Sequence, residues 1–459
     1  MKKSWLYIFS IACIAAVAFI SGLEKAQVVS ISLFLALILG TLFFWRFRLA
    51  FAFIAMALLL GFGVLDIYHL IEFAGLDIVL FLVGMMVVIG FLEEYRFFEI
   101  LTNKIINIVG NNINKLIIVI MILSALFAAL VDEVTSILFM TSTVLHLTGK
   151  YRVNPTPYII MTVFATNIGS SATVVGNPVG VMIALRAGLT FADFLRWASP
   201  ISILSLIVII PLTMKYFNKE IKEFENRLTN SLNVKNNFEE IIPRNKFILS
   251  LIIFSSTITL LILHNQVEKL LHLEKNTMLL GTALGMAGIV LIIERNKARE
   301  LLEKRVDWWT LSFFIILFAS VGTLKMTGIT SIFAKGFLSL AKGNEIFFFV
   351  SFTFIIGVLS AFMDNVLAIA TIIPIIQDLQ TMGIYVFPLW WCSLFAATHF
   401  GNLTMIGSTA NIVAIGVLER RKLGHITFLQ WIKPGLIVSL TTITVALLLV
   451  LAQIPLMSR

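Results

Sequence analysis

The sequence predicts an all-α polytopic membrane protein: about eleven transmembrane helices plus two re-entrant hairpins, arranged as two inverted repeats. Three observations carry this prediction. The first is composition. Of 459 residues, 59% are hydrophobic and 13% charged, about half the charged share of an ordinary soluble domain, and mean hydropathy is +0.99. No soluble fold of this length has interior enough to hide that apolar surface. A cytosolic enzyme, a secreted domain and a disordered scaffold are excluded. The second observation is the series of apolar runs, and the third is an internal repeat.

The runs fall at about 4–21, 27–44, 49–66, 77–92, 114–148, 155–188, 198–215, 246–263, 277–294, 308–324, 345–379, 385–418 and 432–452. Met1-Lys2-Lys3 and the run to Ile20 read as an uncleaved first span, because further apolar runs follow at once. Runs 114–148 and 345–379 are too long for one crossing and carry acidic residues near their middles, Asp132-Glu133 and Asp364. They are expected to enter and leave on the same side, while the other eleven runs cross once each. The expected division is a first helix (1–26), a first repeat (27–217), a linker (218–245) and a second repeat (246–455). Cys13 and Cys392 both lie in apolar runs and are expected to serve packing.

Positive charge tests the assignment. With the N-terminus in the cytoplasm and eleven crossings, 25 of the 34 Lys and Arg fall in cytoplasmic segments, and the C-terminus lies outside. Cytoplasmic loops carry such an excess, so the net charge of +9 is an orientation signal, with no nucleic acid implied. Residues 218–245, the longest hydrophilic stretch with charges of both signs, read as a solvated cytoplasmic linker. A plasma (inner) membrane location and the lipid bilayer as partner follow from the same reading.

Residues 232 positions apart match at Gly90/Gly322, Asp132/Asp364, Thr166/Thr398 and Gly169/Gly401. Thr173/Thr404 and Gly176/Gly407 follow one position closer, then Phe194-Leu195-x-Trp197-x-x-Pro200 recurs as Phe428-Leu429-x-Trp431-x-x-Pro434. Five crossings separate corresponding points, and an odd number sets the copies in opposite orientations. Inverted repeats with broken helices belong to secondary transporters.

Each half presents two polar elements inside apolar surroundings. One is a hairpin tip, Asp132-Glu133-Val134-Thr135 and Asp364-Asn365-Val366. Carboxylates at such depth are costly unless they face a cavity or partner, although an Asp can also cap the returning helix. The other is a broken helix (155–188 and 385–418). The first holds Asn167, Gly169, Ser170, Ser171, Thr173, Gly176 and Asn177; the second holds Thr398, His399, Gly401, Asn402, Thr404, Gly407 and Asn411. Glycines interrupt the helix, and Ser, Thr and Asn supply oxygen ligands beside freed carbonyls. Small-residue helix packing is the competing explanation. Each tip and its broken helix make a candidate Na⁺ pocket. His399 stands where the first copy has Asn167 and is a proton-transfer candidate. No Lys or Arg lies within either tip or break, which disfavours a polyanionic substrate unless cations bind with it.

Leu130-Val131-Asp132-Glu133-Val134-Thr135, with Val163 to Thr173 (Val-Phe-Ala-Thr-Asn-Ile-Gly-Ser-Ser-Ala-Thr), resembles the ion transporter superfamily. That group comprises arsenite permeases, the melanosomal P-protein, D-type sodium/proton antiporters and citrate or dicarboxylate carriers. The likeness runs from about residue 27 to 452 and is greatest to the arsenite permease and P-protein branch, which Phe362-Met363-Asp364-Asn365-Val366 also fits. It implies two five-span repeats, each with a re-entrant hairpin, and a homodimer whose transport domains move as elevators against a scaffold. In the carboxylate carriers a Ser-Asn-Thr motif occupies each tip; this chain lacks it. Where the P-protein branch has Gly-Asp-Pro, this chain has Gly176-Asn177-Pro178.

The expected function is ion-coupled secondary transport of a small inorganic ion, by Na⁺/H⁺ antiport or arsenite-type efflux. Na⁺ or H⁺ is the coupling ion, with no other cofactor. The alternative is a Na⁺-coupled citrate or dicarboxylate importer. A channel has no need of paired inverted pockets, and a membrane enzyme would need a metal-ligand cluster, nucleotide loop or nucleophile–base pair, none of which the sequence displays.

Overall fold

The computed structural model describes residues 2–109, 112–229, 243–341 and 343–457, and among them it contains helices and no strand. The first part of the chain forms α1 (Lys2–Ile20), α2 (Lys25–Phe43), α3 (Arg48–Gly61), α4 (Ile67–Phe73), α5 (Leu76–Glu94), α6 (Phe97–Val109), α7 (Ile113–Leu130), α8 (Glu133–Lys150), α9 (Thr156–Ser170), α10 (Pro178–Ala187) and α11 (Phe191–Asp193). A π-helical turn joins α11 to α12 (Ser199–Tyr216). After α13 (Asn218–Thr229) come α14 (Arg244–Leu271), α15 (Thr277–Ile293), α16 (Ala298–Arg305), α17 (Trp308–Met326), α18 (Ile329–Ala341), α19 (Glu345–Phe362), α20 (Asn365–Thr381), α21 (Phe387–Phe400), α22 (Thr409–Arg420) and α23 (Phe428–Gln453).

The internal repeat is visible element by element. Helices starting at 76, 97, 113, 133, 156 and 178 recur at 308, 329, 345, 365, 387 and 409. Matching end signals recur with them. Asn112 and Asn344 accept from the Lys115 and Phe347 amides at the starts of α7 and α19 (2.9 and 3.0 Å). Prolines open α9 and α21, where a missing N–H costs nothing.

Among the described residues, eight helices are long and apolar enough to cross a membrane by length and composition. Two of these, α7 and α19, are instead hairpin arms. Their tips meet one another through Asn365 and Glu133 (3.3 Å) and meet the breaks after α9 and α21, so neither tip reaches the far surface. The six remaining crossings are α2, α5, α11–α12, α14, α17 and α23. With α1, α3, α15 and the broken pairs α9/α10 and α21/α22 they make eleven.

Polar contacts sort into two opposite faces. On one, Arg305 meets Glu93 and Glu94 (3.0 and 2.8 Å), Lys297 meets Glu94 (2.7 Å), and the Tyr158 hydroxyl donates to the Glu220 carbonyl (2.8 Å). On the other, Arg186 forks onto Asp77 (2.5 and 2.9 Å), Lys325 donates to Gln377 (2.8 Å), and Thr330 donates to Asp378 (2.6 Å). The base of the first hairpin lies on the Arg305 face and the base of the second on the Arg186 face. The two repeats are therefore inverted, and each face gathers the segments that the positive-charge count puts together.

Packing groups the helices into two bodies. α2, α3, α4, α5, α14, α15, α16 and α17 associate as one; α7 to α10, α12 and α19 to α23 associate as the other. In the second body the halves interlock, α8 against α22 and α20 against α10. The short helices α6 and α18 bridge the bodies.

The predicted solvated linker is docked where it is described. Along α13, Ile221 and Phe224 lie about one turn apart and are buried. The Phe224 ring packs on Tyr151 and Tyr158 (5.5 and 5.3 Å). Residues 230–242 of that segment lie outside the described residues. Cys392 is buried, as a packing role requires, whereas Cys13 on α1 is exposed.

Candidate functional site

Backbone geometry at the tips explains which side chains are free to act. Asp132 is extended (φ −179°, ψ 163°) and its Oδ1 accepts from the Val134 and Thr135 amides (2.6 and 3.1 Å). Asp364 Oδ1 accepts from the Val366 amide (3.1 Å), while its Oδ2 accepts from the Thr409 hydroxyl (2.6 Å). Both aspartates thus cap the returning helices, satisfying amides that have no intrahelical partner. The next residue in each case is the first helical one. It projects away from the cap.

The hairpins are latched to the broken helices by equivalent bonds. The Thr173 hydroxyl donates to the Ala129 carbonyl, and the Thr404 hydroxyl to that of Ala361. Ser360 adds a bond from the second hairpin to the Ala397 carbonyl of α21 (2.8 Å), whereas Ser136 donates to the Ser124 carbonyl (3.0 Å) and joins the two arms of the first hairpin. Glycines permit the approach: a methyl at Gly169 would overlap the Ala125 backbone, one at Gly176 the Ser170 carbonyl, and one at Gly407 would stand 2.8 Å from the Gly401 carbonyl. Gly401 is less crowded, with its nearest atoms at 3.1 Å.

Glu133, buried at 1% exposure, occupies the centre. Its Oε2 accepts from the Ser170 hydroxyl (3.3 Å), and its Oε1 accepts from the Asn365 amide (3.3 Å) and the Ser408 hydroxyl (3.5 Å). These are long contacts from neutral donors, and no ion pair involves this carboxyl among the described residues. Beside it runs an amide network. Asn167 Nδ2 donates to Asn402 Oδ1 (2.7 Å) and Asn411 Oδ1 (2.8 Å); Asn177 Nδ2 donates to Ser170 Oγ (2.8 Å) while its Oδ1 caps α10 at the Gly180 amide (2.7 Å). Asn411 Nδ2 ties down the Gly401 and Thr404 carbonyls of the second break (2.7 and 2.8 Å). Within this site two buried amide oxygens, Asn167 Oδ1 and Asn365 Oδ1, find no donor among the described residues.

A buried carboxyl with long neutral contacts and two bare amide oxygens in one site is an electron-rich cradle. Its chemistry suits a proton or a hard cation that takes oxygen ligands. Among the described residues no three His, Cys, Asp or Glu side chains gather as metal ligands, so a transition-metal centre has no donor set here. A cavity of about 440 Å³ enters from the Arg186 face, lined by Phe318, Val321 and Lys325 on α17 and by Ala370, Ile373 and Gln377 on α20. Ala370 lies five residues from Asn365, about 7 Å along the helix axis.

Not every expected site residue joins this pocket. Thr398 donates to the Leu394 carbonyl of its own helix (2.8 Å). Ser171 turns to Ile168 and to Ser202 on α12 (2.7 and 2.8 Å). His399 is buried against the Phe395 ring (5.3 Å) and the Thr442 backbone of α23. Thr135 contributes its backbone amide to the Asp132 cap. Conversely, Ser408 and Thr409 were not expected. Ser408 caps α22 at the Ala410 amide (3.1 Å) and reaches Glu133. It is the repeat counterpart of Asn177, and that correspondence was the available signal.

Comparison with known proteins finds transporter relatives. The profile of a family described as citrate transporter matches residues 33–396. An uncharacterized transporter of Mycobacterium tuberculosis is 30% identical over 402 residues, covering 85% of this chain and 90% of that protein. The P protein of Homo sapiens is 24% identical over 450 residues, covering 83% of this chain and 54% of that longer protein. Among solved structures, the Alcanivorax borkumensis YdaH transporter aligns over 85% of this chain and 87% of that one, with a TM-score of 0.57 at 15% identity. That likeness concerns the fold.

Proposed function

The chain belongs to the citrate transporter family, and from that premise we propose that it is a cation-coupled secondary active transporter working by alternating access. Its cargo is a small inorganic ion, carried by Na⁺/H⁺ antiport or arsenite-type efflux, and its coupling ion is Na⁺ or H⁺. The observation that carries this reading is the Glu133 pocket: a buried carboxyl without a cationic partner, ringed by Ser170, Ser408, Asn365 and Asn167. A carboxylate in that setting needs a cation or a proton for most of its residence. The body holding both hairpins and both broken helices would carry the pocket, moving as an elevator against the other body within a homodimer. The N-terminus would lie in the cytoplasm and the C-terminus outside, in the plasma (inner) membrane.

A second reading is Na⁺-coupled citrate import, which the description of the matched family favours. Purified protein in liposomes separates the two. Under an imposed Na⁺ or proton gradient, counterflux of Na⁺, protons or arsenite supports the leading reading. Flux elicited by citrate alone supports the importer. The absence of any ion-dependent flux refutes both.

A further inference from the structure

The pocket itself contains no fixed positive charge, yet one is held opposite it by the other body. Arg48, at the start of α3, is buried to 6% exposure. Its guanidinium stacks over the Trp45 and Phe313 rings (4.4 and 5.2 Å), a favourable seat for a desolvated cation. It donates to the Thr310 hydroxyl (2.7 Å), which donates in turn to Asp307 (2.5 Å). A guanidinium has five N–H donors, and Thr310 is its one hydrogen-bond partner among the described residues.

Helix register shows what Arg48 faces. α17 and α20 pack side by side and run in the same direction: Lys325 bonds Gln377, and Phe318, Val321 and Lys325 line one cavity with Ala370, Ile373 and Gln377. Stepping back along both helices from that bond at the same rise brings Phe313 level with Asn365. The Arg48 guanidinium, seated on Phe313, therefore stands at the depth of the second hairpin tip. Asp364 and Arg48 lie within electrostatic range of each other, although no ion pair within 4.0 Å joins them.

We propose that Arg48 is the fixed counter-charge for the Asp364 tip, stabilising the cation-free pocket in the arrangement seen here and so promoting cation release. The assignment deepens the transport reading and rests on it. When ionised, Glu133 and Asp364 together give the pocket its negative charge; a cation on the other body offsets part of that charge only while the tip stands beside it. Arg48 acts on the bound ion through space and is a positioning residue, not a ligand.

The test is Na⁺-dependent flux and equilibrium ²²Na⁺ binding by the full-length protein, with proton-driven flux measured in parallel. Removing the positive charge in Arg48→Gln should tighten cation binding, lowering the half-saturating concentration about 3- to 10-fold for charges separated by several ångströms at intermediate dielectric. Turnover should fall at the same time, because release is slower. Arg48→Lys should behave as wild type in both respects. Arg48→Gln/Asp364→Asn should return the half-saturating concentration to near the wild-type value, since Asn retains the cap. A purely structural role predicts lower turnover with unchanged or weaker binding in both Arg48 variants, and that result overturns the proposal. Weaker binding of an anionic cargo with unchanged cation binding also overturns it, making Arg48 an anion ligand. A wild-type protein with no cation-dependent flux or binding refutes the transport reading instead, and this assignment with it.

Discussion

The two hairpin tips share a framework and differ in chemistry. At positions where the repeats are identical, the side chains build shape: Asp132 and Asp364 cap helices, Thr173 and Thr404 latch the hairpins, and Gly169, Gly176 and Gly407 allow backbones to touch. Where the repeats diverge, one or both partners line the pocket, although His399 turns away to α23. Glu133 stands opposite Asn365, Asn167 corresponds to His399, Ser170 to Asn402, Asn177 to Ser408 and Gly180 to Asn411. Symmetry supplies two equivalent cradles. Divergence makes one of them a carboxylate site and the other its amide-bearing lid.

The sharpest way to break this comparison is to exchange charge at the divergent pair. Glu133→Gln keeps the hydrogen-bonding shape and removes the charge, so coupled flux in proteoliposomes should fall by about two orders of magnitude, the effect of losing a charge worth roughly 3 kcal/mol to the bound cation. Flux within threefold of wild type would move the site elsewhere.

Backbone contact should separate the halves next. Gly169→Ala drives a methyl into the Ala125 backbone, whereas Gly401→Ala meets its first atoms at 3.1 Å. Overpacking of the first kind costs about 1–3 kcal/mol. The melting temperature in detergent should therefore drop clearly for Gly169→Ala and by much less for Gly401→Ala. Equal losses would show that the two breaks are equally tight.

The caps provide a finer test. Asp132→Ala should cost about 1 kcal/mol of stability, while Asp132→Asn, a comparable cap, should lie within a few tenths and retain flux within about twofold of wild type. Loss of flux in the Asn variant, with stability intact, would restore a charge-dependent role to Asp132. The smallest effect concerns the latches. Thr173→Val and Thr404→Val each remove one hydrogen bond, and thermal unfolding should show matching losses of about 1 kcal/mol. Unequal losses would mean that the shared framework is less symmetric than its bonds.

Much of this was legible before the fold was known. The hairpins followed from over-long apolar runs with a carboxylate at the middle, and the breaks from Gly, Ser and Asn inside uncharged stretches. The capping role of Asp132 was also readable, since an Asp before Glu-Val-Thr is an N-terminal helix signal. Other features were hidden. His399 appeared interchangeable with Asn167 by position, yet it lies against α23. Phe224 and Ile221 lay in a stretch whose average composition was polar, and two side chains on one face of a short helix suffice to dock it. Arg48 sits 316 positions before Asp364, in a segment that read as an orientation signal alone.

By itself, the sequence determined that this chain enters a membrane, how often it crosses and that its halves are inverted copies. Those properties depend on hydrophobic length, charge asymmetry and turn chemistry, which are local and additive along the chain. The tertiary structure decided which of three acidic tip residues stands at the centre of the pocket, which amides meet across the pseudo-symmetry axis and which charge on the other body opposes them. Those depend on the rotation of a helix about its axis. One residue is a turn of about 100°, enough to separate the cap Asp132 from the pocket residue Glu133.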